Sequence, residues 1–120
     1  MTDVDILERT TTYLRSKLGG VPVSASVPAE RKSLGSFVTF SRAGGARSAF
    51  IDEPRIVADC FAQTIADSYE LAERVAVALA GMPADDSKVS DAGPCSIYRN
   101  EWAEDGTPCH SVSCPMVANV

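Results

Sequence analysis

Between Phe37 and Met82 the apolar positions change from a two-residue to a helical period, which predicts strand, turn, strand and helix in succession. Phe37-Val38-Thr39-Phe40-Ser41-Arg42 is rich in β-branched and aromatic residues and reads as a strand. It runs into Ala43-Gly44-Gly45-Ala46, where glycine permits positive φ, so a reversal is expected there. After a polar segment, Arg47 to Glu53, a second strand is expected from Pro54 to Ala62. Pro54 is tolerated at its first position, and Ile56, Ala58 and Cys60 share one face. Thr64-Ile65-Ala66-Asp67 then resembles a capping box. Beyond it Ile65, Ala72, Val75, Leu79 and Met82 cluster at helical spacing, flanked by Leu71 and Ala76, with Gln63, Asp67, Glu70, Glu73 and Arg74 opposite. Glu70 and Arg74 are spaced as an i,i+4 ion pair, Gly81 with Pro83 supplies the stop, and Val77 stands on the polar side as a hint of a partner surface.

The flanks read more simply. Thr2 and Asp5 cap a first helix whose face carries Val4, Leu7, Thr11, Leu14 and Leu18, with Ile6 and Tyr13 at its border, Asp5 and Arg9 as an i,i+4 pair, and Gly19-Gly20 at its end. Val21 to Pro28 alternates between two prolines, so it is expected to be extended, as an edge strand or a crossing arm. Ala29 to Ser36 and Ala84 to Pro94 read as polar loops. Cys95 to Asn100 is expected to be a third strand, Trp102 to Pro108 a turn, and Cys109 to Val120 a fourth strand, at an edge or bulged because of Pro115. The expected fold is therefore one α+β domain spanning residues 1–120: a mostly antiparallel four-stranded sheet, two helices and an extended N-terminal arm or hairpin.

A net charge of -5 argues against a dedicated nucleic-acid binder. That average hides a polarity, because residues 9–47 hold seven basic residues against Glu30, and residues 61–120 hold three against nine acids. The charges could mix within one domain, or opposite ends of neighbouring subunits could meet head to tail. No apolar run reaches the ~18 residues that span a bilayer, and the start lacks a signal-peptide pattern, so a soluble, non-secreted chain is expected.

Candidate chemistry is sparse. Cys60 reads as a small core residue, and Cys95, Cys109, His110 and Cys114 could in principle share a zinc ion, although their spacing matches no closed zinc module. Cys109 and His110 offer the one nucleophile–base pair, but neighbours on a strand point to opposite faces. Gly44-Gly45 lacks both phosphate-loop patterns, and Asp52-Glu53, Asp85-Asp86 and Glu104-Asp105 fall in loops where solvated charge is the default. Trp102, a large aromatic among acids, could anchor an interface or cover the core edge.

The order Val27-Pro28-Ala29-Glu30-Arg31, Phe37-Val38-Thr39-Phe40, Arg42 with Gly44-Gly45, Asp52 with Pro54, the Ile56 to Ala62 strand and Leu71-Ala72-Glu73-Arg74-Val75 resembles the small tail terminator proteins of long-tailed phages infecting actinobacteria. These are also called tail completion or minor tail proteins. The likeness covers residues 21–82, and Tyr98-Arg99 with Asp105-Gly106-Thr107-Pro108 continue it; Phe61, where the family often has Trp, and Cys114-Pro115 depart from it. The resemblance implies a non-enzymatic α+β subunit without cofactor or metal, closing into a hexameric ring at the head-proximal end of the virion tail. Such a ring stops polymerisation of the major tail tube protein and meets the head-completion, or stopper, ring, with DNA passing through its lumen. Arg42, Gly44, Gly45, Arg47 and Trp102 are the expected interface residues. Another neck ring protein, such as the head–tail connector, is the alternative within that class, and a Cys/His metal- or thiol-dependent enzyme the alternative outside it.

Overall fold

The computed structural model describes residues 3–25, 35–100 and 106–119. Among them the chain forms α1 (Asp3–Lys17), β1 (Val23–Ser24), β2 (Phe37–Arg42), β3 (Ile51–Asp52), β4 (Arg55–Phe61), α2 (Ile65–Ala80), α3 (Met82–Asp85), β5 (Val89–Ala92), β6 (Ser96–Arg99) and β7 (Cys109–Asn119). The α+β class is as expected, but the sheet is mixed and has seven strands, and there are three helices. β1 is an edge strand parallel to β2; β2 pairs with β4 and β4 with β7, both antiparallel.

The extra strands are largely continuations of the four expected ones. β3 meets β7 in the same register as β4, Ile51 facing Asn119 and Arg55 facing Pro115, so residues 51–61 form one row interrupted at Glu53-Pro54. On the other flank of β7, β5 and β6 form a second row, with a register shift between Val89 and Asp91 and a break at the cis Gly93–Pro94 bond. β7 is therefore the central strand, not an edge. Its Pro115 is accommodated for a local reason. The N–H of Met116 donates to the Pro54 carbonyl at 2.9 Å, and alternate residues of a strand turn their amides to opposite sides. The Pro115 nitrogen accordingly points at the β5–β6 break, where a missing donor costs no ladder bond.

Both long helices cover one face of this sheet, α2 lying across β7, β4 and β6, and α1 against α2, β1 and β2. Ile56, Ala58, Cys60, Val112 and Cys114 meet Leu71, Ala72, Val75 and Leu79 in the core beneath α2, all of them buried. As expected, Thr64 caps α2, its hydroxyl accepting the Asp67 N–H at 3.0 Å. Ile65 is half-exposed instead of core, and Ser68 takes the buried position one turn on. On α1 the buried seam runs through Ile6, Thr10, Leu14 and Leu18, displaced from the expected Leu7–Thr11 line. Thr10 can be buried because its hydroxyl donates to the Ile6 carbonyl at 2.6 Å, leaving its methyl for the core. Arg74 donates to the Leu18 carbonyl at 3.2 Å rather than reaching Glu70, and so ties α2 to the end of α1.

The segment Ala84 to Pro94, expected to be a loop, carries the end of α3 and all of β5. A four-residue strand needs few apolar contacts, and Val89, fully buried against α3 and β7, provides one that a scan for a longer apolar face misses. Thr2, Val27 to Leu34 and the Trp102 to Asp105 part of the last turn lie outside the described residues.

Candidate functional site

The molecule measures 41 × 24 × 24 Å, and the link between β2 and β4 forms a long hairpin. It does not turn at Gly44-Gly45. The N–H of Ala43 donates to the Arg55 carbonyl at 2.7 Å and the N–H of Arg55 to the Gly44 carbonyl at 3.1 Å, so residues 43 and 44 together face Arg55 in a bulge. Pairing then resumes, with Arg47 opposite Asp52 and the Glu53 N–H donating to the Ala46 carbonyl at 2.8 Å. The reversal comes at Ser48 to Ile51, where the Ser48 N–H donates to the Ile51 carbonyl at 2.8 Å and the Ser48 hydroxyl accepts from the N–H groups of Phe50 and Ile51. The two glycines bend the hairpin instead of closing it. Gly45 has φ +109°, and a β-carbon on it would lie 2.0 Å from the Glu53 carbonyl oxygen, so only glycine fits the crossing strands there.

An ion pair fixes the base of this hairpin. The Arg42 guanidinium grips Asp52 with two hydrogen bonds of 2.7 and 2.8 Å and also donates to the carbonyls of Gly44 and Gly45 at 3.1 and 3.3 Å. Asp52 is buried and Arg42 largely so, which makes this bidentate pair a structural clamp on the bulge. Arg42, Gly44 and Gly45, expected as interface residues, thus shape the hairpin's base, whereas Arg47 is exposed on its arm. Trp102 lies outside the described residues. At the tip Phe50 is 80% exposed and Ile51 43%. Neither stood out in the sequence, where an isolated Phe-Ile pair inside a polar segment carries no period; a solvent-facing Phe at a turn is the signal that placement makes visible.

The Cys/His set is dispersed. Cys109 and His110 are successive residues of β7 and face opposite sides of the sheet, and Cys114 is four residues, or about 13 Å, further along the strand. Among the described residues no group of three or more His, Cys, Asp or Glu side chains is arranged to hold a metal ion. Cys95 and Cys114 are neighbours whose thiols interact; this contact lowers the pKa of Cys95, and with burial raises that of Cys114. Burial also pushes the Cys109 thiol up to about 12, and raises Cys60 too. His110 lies under α2, its Nδ1 2.7 Å from the Ser68 hydroxyl and its ring edge-on to Tyr69. Ser68 also donates to the Ile65 carbonyl at 2.9 Å. A carbonyl can only accept, so both contacts are hydrogen bonds when Nδ1 carries the histidine proton. With its hydroxyl fully buried and its proton committed to the backbone, Ser68 is arranged as a packing contact and not as a nucleophile.

Much of the charge polarity is paired within the chain. Arg9 binds Asp86 through two bonds of 2.7 and 2.9 Å, and Lys17 and the Tyr13 hydroxyl both reach Asp85, at 3.4 and 2.8 Å. These contacts hold the carboxyl pKa of Asp85, through Tyr13 first, and of Asp86, through Arg9 first, below the usual range. Burial and Asp85 together raise Tyr13 to about 12. The basic flank of α1 is thereby joined to the acidic loop after α3. The groove between α1 and α2 is lined by both signs of charge, Glu70, Glu73 and Asp85 together with Lys17 and Arg74, around the exposed Val77. No helix among the described residues is long and apolar enough to cross a membrane. No protein-family model matches this chain, and no curated protein matches it in sequence.

Proposed function

We propose that this chain is a tail terminator subunit of a long-tailed phage, a structural protein and not an enzyme. Six copies close into a ring on the head-proximal end of the tail tube, stop its polymerisation and join it to the head-completion, or stopper, ring. Genomic DNA passes through the lumen without specific binding.

The observation that carries this reading is the projection that these residues shape. Arg42, Gly44-Gly45, Asp52 and Pro54, which carry the likeness to tail terminators in the sequence, all sit in the hairpin between β2 and β4. Arg42 and Asp52 clamp its base, the glycines bend it, and Pro54 ends it by accepting the Met116 N–H. A clamped, bent projection with an apolar tip is what a ring subunit needs to reach its neighbour, and the net negative charge suits a channel wall that does not retain passing DNA. The fold offers supporting architecture too, since an elongated subunit can present unlike patches to its two neighbours.

Negative-stain images of particles assembled without this protein test the reading. Overlong tails, or tails separated from heads, are expected; particles with normal, joined tails would refute it.

A further inference from the structure

Two of the four thiols are brought together by the sheet. The antiparallel ladder between β6 and β7 runs from Arg99 opposite His110 to Ser96 opposite Ser113, and the same register sets Cys95 opposite Cys114 one step further on. The hydrogen bonds show what kind of pair this is. The Asn100 N–H donates to the Cys109 carbonyl at 3.0 Å, so residues 100 and 109 form a hydrogen-bonded pair. Bonded and non-bonded pairs alternate along an antiparallel ladder, which makes Cys95 and Cys114 a non-hydrogen-bonded pair. The Cα atoms of such a pair lie about 4.5 Å apart with their side chains close, inside the range of about 4.4–6.8 Å that a disulfide spans. Both side chains are on the α2 face of the sheet. Cys114 is fully buried there, whereas Cys95 is half-buried with its thiol 3.8 Å from the Ala76 carbonyl of α2, and the two sulfurs interact.

The geometry points to Cys95 and Cys114 as an oxidation site, a dithiol that a peroxide-class two-electron oxidant converts into an intrachain disulfide between β6 and β7. This goes beyond the function proposed above and does not depend on it. Exposure assigns the roles, because an oxidant in solvent reaches Cys95 and not Cys114. The Cys95 thiolate gives an electron pair to one peroxide oxygen and the O–O bond breaks, leaving Cys95 sulfenic acid and a hydroxide that the proton released by Cys95 turns into water. The Cys114 sulfur then attacks the Cys95 sulfur. The S–O bond breaks, and the departing hydroxide takes the Cys114 proton and leaves as a second water. In sum two thiols lose two electrons and two protons, and one peroxide becomes two waters. The contact with Cys114 favours the thiolate of Cys95, which is the form that attacks. No other thiol competes. Cys60 lies opposite His110, four residues or about 13 Å along β7 from Cys114, and Cys109 faces the other side of the sheet. The new bond closes residues 95–114 into a loop and fastens the start of β6 to the central strand.

The test treats the full reduced chain with hydrogen peroxide under native conditions, alkylates the remaining thiols in denaturant and maps the peptides by mass spectrometry. Two of the four thiols are expected to disappear together, as a Cys95–Cys114 linked peptide pair within one chain, and to return with dithiothreitol. Closing a loop of this length should raise the melting temperature by roughly 10 °C. Cys95→Ser changes a half-buried position, and circular dichroism confirms that it remains folded; it is expected to keep its three thiols reduced and to show no such rise. Cys114→Ala is expected to stop at the Cys95 sulfenic acid, trapped with dimedone, while Cys60→Ala still forms the link. Four thiols that stay reduced in excess peroxide, a link through Cys60 or Cys109, chains joined to one another through Cys95, or equally fast thiol loss in Cys95→Ser would overturn the proposal. Each of those results leaves the tail-terminator reading untouched, because no step of the test involves assembly.

Discussion

Cutting the ion pair at the base of the hairpin has a consequence large enough to measure. Asp52→Ala leaves the Arg42 guanidinium largely buried without its anion, and Arg42→Ala leaves a buried carboxylate together with the two carbonyls of the glycine bulge. Breaking one side of a buried pair costs about 3–5 kcal/mol, and the solvent that still reaches Arg42 places each single variant near ~3 kcal/mol. Removing both partners leaves no orphaned charge, so the double variant is expected to lose about 4 kcal/mol rather than about 6, a coupling of roughly 2 kcal/mol. A chain of 120 residues has a total stability on the order of 6–18 kcal/mol at the usual ~0.05–0.15 per residue, so the folded state survives each change. Urea denaturation of the four proteins gives the cycle directly, and each single variant should melt roughly 10 °C below the wild type. Single-variant losses under about 1 kcal/mol, or costs that add to within about 0.5 kcal/mol, would refute the clamp.

Neighbouring glycines should respond differently: Gly45→Ala forces a β-carbon into the Glu53 carbonyl and is expected to cost at least ~2–3 kcal/mol and to impair assembly, whereas Gly44→Ala meets open space and pays only for its positive φ, about 1–2 kcal/mol, both read by thermal melts. Burial, and then the Arg99 guanidinium, hold the His110 pKa below its ordinary value, so the unfolded chain takes up a proton more readily than the folded one. Its contribution is therefore full above pH ~6.5 and is lost as pH falls toward the folded value, and His110→Gln should flatten the decline in melting temperature between pH 7 and 5. The carboxyls of Asp85 and Asp86 are depressed as well, but their contribution fades only at more acid pH, below the ordinary carboxylate value. Of the four thiols Cys95 alone is partly exposed, and its pKa is lowered, so iodoacetamide under native conditions should label it first and leave Cys60, Cys109 and Cys114 largely unmodified, as peptide mass spectrometry would show.

The elements legible in the sequence were those whose pattern is local. β2, β4 and α2 carry a clean two-residue or helical period, and Ile56, Ala58 and Cys60 are all fully buried as their alternation requires. What escaped depends on partners distant in sequence. Pro115 marks an edge in isolation, but here its missing donor faces the β5–β6 break, so the strand can be central. Ser68 and Thr10 look like surface positions until His110 and the Ile6 carbonyl satisfy their hydroxyls. Gly44-Gly45 announced a reversal because positive φ is a local signal, whereas the bulge they form exists only against Arg55 and Glu53. For the same reason Arg42, Gly44, Gly45 and Arg47 were legible as one hairpin region, while its exposed end at Phe50 and Ile51 showed only once the turn at Ser48 was placed.

The proposed function is that this chain ends a growing tube. Polymerising the tail tube protein with and without the purified chain, and measuring tube lengths and end occupancy by electron microscopy, tests it most directly. Tubes should grow to a shorter limit and carry a ring of this protein at one end. Unchanged growth with bare ends would contradict the account.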